Sequence, residues 1–374
     1  MAANMHRQRI EQMLASADIR IGGDRPWDVR VHNDAIYSRV AADGMLGVGE
    51  GYMDGWWDCE QLDEMICLAF QADFHRQIRP FKYLLFTLGA RLQNLQRKSR
   101  AFQVGEKHYD LGDDLYRAML DKRMIYSCGY WKDATDLDEA QEHKLDLVAR
   151  KLQFEPGMKV LDIGCGWGGA LNYFAEHYGV TGTGITISRE QAEMATRLCA
   201  DQPVTIRLQD YRELNESFDR VYSIGMFEHV GHKNYRTYME IVQRCLKPDG
   251  LFLLHTIGGR FSAARTDPWL TRYIFPNGML PSPDQITTAT EGLLNLEVWH
   301  NFPQDYERTL LCWYDRFEQA WEELSNDYDE RFFRMWRYYL LACAGGFRAG
   351  GNQLWQIVFS RDGIRGGYEP GNIR

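Results

Sequence analysis

Residues 158–169 read Met-Lys-Val-Leu-Asp-Ile-Gly-Cys-Gly-Trp-Gly-Gly and decide the fold of this chain. Val160, Leu161 and Ile163 predict a buried strand, and a glycine-rich loop and an amphipathic helix follow it. Glycine lets a backbone turn sharply and approach a ligand closely. The first N–H groups of a helix lack partners within the helix, so they can face a polar ligand. The stretch therefore predicts a ligand-binding strand–loop–helix unit.

The glycine spacing alone leaves the ligand open. Gly164, Gly166 and Gly169 fit the dinucleotide pattern G-x-G-x-x-G. That pattern requires an acid about twenty residues further on, at the end of the second strand. Here the second strand, residues 180–185, is followed by Thr-Ile-Ser, and the next acid is Glu190. The dinucleotide interpretation is therefore disfavoured.

A nucleotide-like methyl donor, S-adenosylmethionine, fits these residues better. Asp162 stands before a compact glycine run, and the polar triplet 209–211, Gln-Asp-Tyr, closes the third strand where it can reach an adenine. A glycine turn with a purely structural role is the remaining alternative.

Composition indicates a globular protein large enough for two domains. Of 374 residues, 45% are hydrophobic and 25% are charged, which is typical of folded chains. No apolar run approaches the length that spans a bilayer, and residues 1–20 lack a signal-peptide core. We therefore expect a cytoplasmic protein. The net charge of −9 argues against a nucleic-acid binder.

The cysteine spacing bears on whether the chain has a disulfide or a metal site. The eight cysteines show no C-x-x-C pair and no zinc-ligand spacing, which predicts reduced thiols and no metal site.

Between Phe74 and Gly105, seven Lys or Arg residues are interleaved with aromatic residues and leucines, and no acid occurs. This pattern is typical of a surface that contacts anionic lipid. The alternative is a linker helix with a solvated basic face.

Strands and helices alternate from residue 156 onward. We predict strands near 159–163, 180–185, 204–208, 219–224, 251–256, 295–300 and 353–360, with Pro248-Asp249-Gly250 as a turn before the fifth. We predict helices near 138–153, 168–178, 188–199, 234–246, 282–291, 304–324 and 328–344. This alternation indicates an α/β fold with a doubly wound, mostly parallel, seven-stranded sheet. We expect a smaller N-terminal α+β or helical domain over 1–100 and the α/β domain over 101–374. For the adjacent Trp56 and Trp57 in the aromatic stretch 46–57, the alternatives are a core, an interface and a membrane-edge anchor, and we favour the core.

Two titratable side chains stand at strand ends, where parallel sheets bind ligands. Glu228 lies among apolar neighbours after the fourth strand, and an acid in such surroundings needs a partner or its pKa rises. His255 ends the apolar fifth strand. The alternatives are a satisfied structural carboxylate and a hydrogen-bonded core histidine. Because both residues stand at predicted strand ends, we favour a site that holds a base or a reactive ion.

Two cysteines stand in distinctive contexts. Cys128, in Tyr-Ser-Cys, is not needed as a nucleophile for methyl transfer from a sulfonium, so we predict a weak hydrogen-bond donor. Cys343 lies in Ala-Cys-Ala-Gly-Gly, which predicts close helix packing.

Several motifs in order along the chain resemble the cyclopropane-fatty-acyl-phospholipid synthases. They are the glycine run, Gly-Ile-Thr-Ile-Ser-x-Glu-Gln at 184–191, Gln-Asp-Tyr-Arg at 209–212, His-Tyr-Asp-Leu-Gly at 108–112, Tyr-Ser-Cys at 126–128, Gly-Met-Phe-Glu-His-Val-Gly at 225–231 and His-Thr-Ile-Gly at 255–258. The stretch 49–57, Gly-Glu-Gly-Tyr-Met-Asp-Gly-Trp-Trp, resembles the bacterial phospholipid enzymes rather than the shorter mycolic-acid synthases.

The resemblance implies a reaction and its partners. A methylene passes from S-adenosylmethionine to the cis double bond of a phospholipid acyl chain, by methyl transfer, a carbocation and deprotonation by bound bicarbonate. Residues 1–100 would dock on lipid and 101–374 would carry catalysis. It further implies a homodimer, in peripheral contact with the inner face of the cell membrane. A fatty-acyl C-methyltransferase and a lipid-binding protein without turnover remain alternatives.

The resemblance also assigns site residues. The bicarbonate would be held by Cys128, Glu228, His255, the backbone of Ile257, and Tyr306. Together with the strand ends, the resemblance assigns donor binding to Tyr126, Ser127, Gly164, Cys165, Gly166, Gly168, Thr186, Ser188, Gln191, Gln209, Asp210 and Tyr211.

Overall fold

The computed structural model describes residues 2–74, 112–263 and 267–370 of the chain. Apart from Phe74, the predicted basic segment lies outside the described residues, and so does the 108–111 part of the His-Tyr-Asp-Leu-Gly motif. The roles predicted for these residues stay predictions.

The described residues form the following elements. The strands are β1 (Arg30–Val31), β2 (Trp57–Asp58), β3 (Lys159–Ile163), β4 (Thr181–Thr186), β5 (Val204–Leu208), β6 (Phe218–Ile224), β7 (Leu246–Gly259), β8 (Asn295–Asn301) and β9 (Asn352–Ser360). The α-helices are α1 (Ala2–Ser16), α2 (Ala35–Asp43), α3 (Met45–Met53), α4 (Leu62–Gln71), α5 (Asp113–Met119), α6 (Leu137–Leu152), α7 (Gly169–Tyr178), α8 (Arg189–Leu198), α9 (Tyr235–Cys245), α10 (Pro268–Tyr273), α11 (Pro283–Thr290), α12 (Gln304–Gln319), α13 (Trp321–Leu324) and α14 (Glu330–Arg348).

The chain forms two compact units, each built from separate stretches of sequence. Of the described residues, the first unit takes those up to 74, 267–276 and 306–352. The second takes 112–263, 277–305 and 353–370. The predicted boundary at residue 100 lies outside the described residues, and the division into 1–100 and 101–374 stays a prediction. No single cut in the sequence separates the two units, because residues 267–276 and 306–352 also belong to the first unit.

The second unit contains the predicted seven-stranded sheet. Its order is β5-β4-β3-β6-β7-β9-β8. The pairs β3–β4, β3–β6, β4–β5 and β6–β7 are parallel, and β8–β9 is antiparallel. The predicted α/β class with a mostly parallel sheet is therefore confirmed.

Both faces of the sheet are buried, because alternate residues of each strand enter different cores. Leu161 packs in a core with residues of α9 and α11, whereas its neighbour Val160 packs in a core with residues of α6 and α7. The same alternation separates Phe252 from Leu253 on β7. Helices on both faces leave the carboxyl ends of the strands as the place for a ligand.

One predicted helix, one predicted strand and the predicted turn before that strand differ from the structure. The helix predicted over 304–324 is two helices, α12 and α13, separated at Ala320. The fifth strand is longer than predicted, and Pro248-Asp249-Gly250 lies inside it. Phe218 pairs with Leu246 while Arg220 pairs with Leu251, so the intervening residues of β7 form an irregularity rather than a separate turn.

Aromatic residues of the stretch 46–57 lie in the first unit. Tyr52 and Trp57 are buried, and their ring centroids are 5.0 Å apart. Arg334 of α14 lies over the Tyr52 ring at 4.2 Å. Trp56 is half-buried, with the Arg39 guanidinium 4.7 Å from its ring. Core packing is thus confirmed for Trp57, and Trp56 lies at the edge of that core.

The small-residue stretch around Cys343 packs closely, as predicted. A Cβ atom on Gly345 would lie 2.3 Å from the carbonyl oxygen of Asp63 on α4. Only glycine therefore permits this contact between α14 and α4. In the part of the chain that the structure describes, no helix has the length and apolar character needed to cross a bilayer.

Candidate functional site

The glycine loop after β3 has the backbone conformation that the sequence predicts. Gly164, Gly166 and Gly168 have φ values of +91°, +53° and +84°. The N–H groups of Gly164 and Cys165 both donate to the carbonyl of Ile185, over 3.0 and 2.9 Å. A Cβ on Gly164 would lie 2.7 Å from the Cγ of Met226, whereas one on Gly166 would meet no atom within 4 Å. The loop is thus tied to β4, packed against the segment after β6, and open at Gly166, which fits a ligand cradle.

Thr186, Ser188 and Gln191 form a buried group after β4, here called the β4 cluster. Thr186 Oγ1 donates to Gln191 Oε1 over 2.9 Å and accepts the Ser188 N–H over 3.2 Å. Ser188 Oγ accepts the N–H of Gln191 over 3.3 Å, which caps α8. These side chains satisfy one another and fix the turn from β4 into α8. Their contact with a donor stays a prediction.

The triplet after β5 is likewise held by internal contacts. The N–H of Gln209 donates to the carbonyl of Thr186 over 3.0 Å, which joins the ends of β4 and β5. Asp210 accepts the Arg212 N–H on one oxygen and its guanidinium on the other, over 2.9 and 2.8 Å. Tyr211 is buried, and its hydroxyl has no hydrogen-bond partner among the described residues.

The Tyr-Ser-Cys stretch is anchored by α6. Gln141 Nε2 donates to the Ser127 carbonyl over 2.7 Å, and Lys144 Nζ donates to Ser127 Oγ over 3.0 Å. Lys144 is fully buried, and burial lowers its pKa to about 8, against the attraction of Asp121. Cys128 is also fully buried, and its thiol donates to the carbonyl of Gly129 over 3.0 Å.

An aromatic group lies beside this stretch. The Tyr126 ring is 5.3 Å from that of Tyr116 on α5, which is in turn 4.9 Å from Trp167 of the glycine loop. Tyr126 is therefore connected through ring contacts to the loop that it is predicted to assist.

Glu228 sits in a short 3₁₀ turn after β6, and only 8% of its surface is exposed. Its Oε1 accepts the N–H of Ile257 over 2.7 Å. Its Oε2 is buried and has no hydrogen-bond partner among the described residues. Burial raises the pKa of this carboxyl to about 7, and the Ile257 N–H, the N–H of Glu228 itself and the nearby Thr256 hydroxyl oppose the shift. Near neutral pH, Glu228 can therefore hold or release a proton.

His255 is almost fully buried on β7, two residues before Ile257. Its Nδ1 lies 3.1 Å from Nε2 of Gln356. Its Nε2 is buried and has no hydrogen-bond partner among the described residues. Burial, with the nearby cations Lys144 and Lys151, holds the pKa of His255 well below its usual range, so the imidazole is neutral. We call Glu228, His255 and the Ile257 N–H the Glu228 site.

Five residues are predicted to hold an ion. The structure brings Glu228 into hydrogen-bond contact with Ile257, and His255 lies on the same strand as Ile257, β7. These residues and Cys128 lie in the second unit. Tyr306 lies in the first unit, with its ring 4.7 Å from Phe347 and 6.0 Å from Trp313. Its predicted role is untested.

Four polar residues that contact Ser127 or belong to the hydrogen-bonded group around His255 were not identified from the sequence. They are Lys144 and Lys151 on α6, Gln356 on β9 and His300 on β8. The two lysines are seven residues apart, so they share the apolar face of α6, and Gln356 interrupts an apolar strand. A polar residue on an apolar face is the signal that could have found them.

Comparisons with known proteins place this geometry in a family. Residues 96–357 match the family described as mycolic acid cyclopropane synthetase. The chain is 54% identical over 357 residues to the cyclopropane-fatty-acyl-phospholipid synthase of Escherichia coli strain K12, covering 95% of this chain and 93% of that protein. It is 32% identical over 352 residues to the tuberculostearic acid methyltransferase UfaA1 of Mycobacterium tuberculosis, covering 88% of this chain and 82% of that one.

A solved structure agrees. The mycolic acid cyclopropane synthase CmaA1, complexed with SAH and CTAB, superposes with a TM-score of 0.65 at 32% identity, covering 70% of this chain and 98% of that one. The chain therefore belongs to the cyclopropane-fatty-acyl-phospholipid synthase family, as its motifs predicted.

Proposed function

We propose that this protein is a cyclopropane-fatty-acyl-phospholipid synthase that transfers a methylene from S-adenosylmethionine to the cis double bond of an unsaturated phospholipid acyl chain. The observation that carries this proposal is the Glu228 site. Two buried polar atoms of this site, Glu228 Oε2 and His255 Nε2, have no hydrogen-bond partner among the described residues. Glu228 follows β6, and His255 lies on the adjacent strand β7. The identity to the Escherichia coli enzyme supports the choice of substrate.

The glycine loop is the proposed cradle for the methyl donor. Its open side at Gly166 leaves room for a ligand, and Met226, packed against Gly164, connects the cradle to the turn that carries Glu228. The remaining donor contacts are those predicted from the strand ends. When bound, S-adenosylmethionine supplies a methyl group activated by a sulfonium.

The chemistry requires close alignment and exclusion of water, because an isolated alkene is a weak nucleophile. The alkene π electrons form a bond to the methyl carbon, the bond from that carbon to sulfur breaks, and a carbocation remains on the acyl chain. Loss of a proton from the new methyl leaves its electron pair to close the ring. Aromatic faces such as those of Tyr and Phe can stabilise that charge.

We assign the base to a bicarbonate held by Cys128, Glu228, His255, the Ile257 backbone and Tyr306. When bound, bicarbonate supplies an oxygen that accepts the methyl proton. Two bare anions would repel each other, so Glu228 must carry or share a proton. Its raised pKa, about 7, supports this assignment. The neutral His255 adds no full charge.

Because the substrate lies in a bilayer, we propose peripheral contact with the inner face of the cell membrane, and a homodimer in the cytoplasm. The cations between residues 74 and 105 would contact anionic lipid. Replacing Arg76, Arg79 and Lys82 with Gln should weaken vesicle binding at physiological salt. The control replaces three exposed cations elsewhere: Lys159, Arg189 and Arg197. Equal binding by both triple variants would contradict docking by this segment, and light scattering would report the oligomeric state.

A fatty-acyl C-methyltransferase is the second candidate, because a relative at 32% identity bears the name of a methyltransferase. Such an enzyme would use the same carbocation and leave a methyl or methylene branch. The Glu228 site favours ring closure, since it offers groups that can hold a base.

Mass spectrometry of fatty acids separates these functions. The protein is incubated with S-adenosylmethionine and vesicles of unsaturated phospholipid, with and without bicarbonate. A gain of one methylene with loss of the double bond, dependent on bicarbonate, is the expected result. Fragments that show a branch would identify a methyltransferase. Donor binding without any gain would indicate a lipid-binding protein without turnover.

A further inference from the structure

A row of four polar side chains crosses the second unit from β8 to His255. Lys151 Nζ on α6 lies 2.9 Å from His300 Nδ1 and 2.8 Å from Gln356 Oε1. Gln356 Nε2 lies 3.1 Å from His255 Nδ1. Because β9 lies between β7 and β8 in the sheet, Gln356 occupies the central position of this row. His300 is half-buried, whereas the other three are almost fully buried.

The lysine is unusual because it is buried without a carboxylate partner among the described residues. Lys151 has no exposed surface, and its described side-chain partners are the imidazole of His300, the amide of Gln356 and the ring of Phe302, 5.9 Å from Nζ. Burying an amine costs free energy, and here no ion pair offsets that cost. Burial lowers the pKa of Lys151 to about 7. The two hydrogen bonds fit the ammonium form of Lys151, which has no lone pair and donates to Gln356 Oε1 and to His300 Nδ1.

That donation fixes the orientation of the Gln356 amide. If the amide were reversed, its NH₂ group would face the Lys151 ammonium, donor against donor. The oxygen must therefore face Lys151, and the NH₂ group must face His255. Nδ1 of His255 then accepts a hydrogen bond from the Gln356 amide. Since a neutral imidazole carries one proton, that proton resides on Nε2.

We propose that Lys151 and Gln356 are positioning residues that hold His255 as the Nε2–H tautomer, so that it presents a neutral hydrogen-bond donor to the oxyanion bound in the Glu228 site. The role of that donor rests on the proposed function. A neutral donor orients an anion without giving up a proton. An imidazolium would protonate a bound base and destroy its basicity.

Nuclear magnetic resonance of the full chain labelled with ¹⁵N at histidine tests the tautomer directly. The His255 signals are assigned as those lost in His255→Gln. In the wild-type protein we expect Nε2 to be of the protonated type and Nδ1 to be of the unprotonated type. The reverse pattern, or an equal mixture, would overturn the proposal without reference to activity, and this measurement needs no variant of the network.

Gln356→Glu is designed to invert the tautomer. A carboxylate at this position accepts from Lys151 and from His255, so it should move the imidazole proton to Nδ1 and leave Nε2 as an acceptor. We expect inverted His255 signals and a loss of cyclopropane formation of about 10- to 100-fold, with donor affinity unchanged. The matched control is Gln353→Glu, the same substitution three residues earlier on β9, which should change neither the His255 signals nor the rate.

Lys151→Met provides a second route, because it removes the donor that orients Gln356. We expect His255 to become a mixture of tautomers and the rate to fall by less than in Gln356→Glu. Unchanged His255 signals in both variants would overturn the assignment of Lys151 and Gln356. A changed His255 tautomer with an unchanged rate of cyclopropane formation would overturn the proposed role of that tautomer in the reaction. A wild-type protein that forms no cyclopropane would overturn the proposed function, and the spectra would still decide what sets the tautomer.

Discussion

The β4 cluster and the Glu228 site are both groups of buried polar side chains at the carboxyl end of the same sheet, but they differ in how far they satisfy themselves. In the β4 cluster, Thr186, Ser188 and Gln191 bond to one another and to the start of α8. In the Glu228 site, one carboxylate oxygen and one imidazole nitrogen have no partner among the described residues.

An unpaired buried polar atom costs about 1–3 kcal/mol, so a protein retains it only where something compensates. The contrast teaches that the first group fixes the backbone after β4, whereas the second has unpaired atoms that fit the proposed binding of a ligand. Substitutions in the two groups should therefore fail in different ways.

The largest expected effect is on turnover in Glu228→Leu. Leucine has a similar size but can neither accept the Ile257 N–H nor hold a proton for a bound anion. We expect the rate of cyclopropane formation to fall by about 10²–10³-fold, as when a polar group that stabilises a reacting ion is removed. The rate is measured at saturating donor, with donor affinity from calorimetry as the control. A rate within about threefold of wild type would show that the unpaired atoms do not serve the reaction.

The next effect is on stability, and it has a definite pH dependence. The pKa of Glu228 is about 7 in the folded protein against an ordinary value of 4.5, so the folded state binds more protons than the unfolded state between these values. Stability therefore falls as the pH rises through this window, and a neutral Gln at this position escapes the loss. Relative to wild type, Glu228→Gln should gain at most about 3 kcal/mol of unfolding free energy between about pH 5 and pH 8.

Urea denaturation at the two pH values, in buffer free of bicarbonate, measures this difference. Asp162, whose pKa burial also raises to about 7, is present in both proteins, so its contribution cancels. A difference independent of pH would mean that Glu228 is ionised throughout and that its second oxygen has a partner.

Much of the sheet and the unpaired site could be predicted from sequence because their signals are local. Apolar runs ending in glycine mark β3, and an acid among apolar residues marks Glu228. The row from His300 to His255 could not be predicted in this way. Lys151 meets its partners 149 and 205 residues away, and only the order of β7, β9 and β8 brings them together. The irregularity in β7 likewise depends on pairing with β6.

The smallest expected effect is in the β4 cluster, and it should appear in stability before turnover. Ser188→Ala removes the oxygen that caps α8, which should cost about 1 kcal/mol of unfolding free energy. The control is Thr196→Ala on the same helix, an exposed residue whose hydroxyl bonds only to the carbonyl one turn earlier in the described structure. This change should stay within about 0.5 kcal/mol. Because none of the fully buried atoms of the β4 cluster lacks a hydrogen-bond partner in the described structure, the rate at saturating donor should fall far less in Ser188→Ala than in Glu228→Leu. A loss of turnover as large as that of Glu228→Leu, in a protein destabilised by only about 1 kcal/mol, would show that a group satisfied by its own hydrogen bonds can still serve the reaction, and the contrast between the two groups would fail.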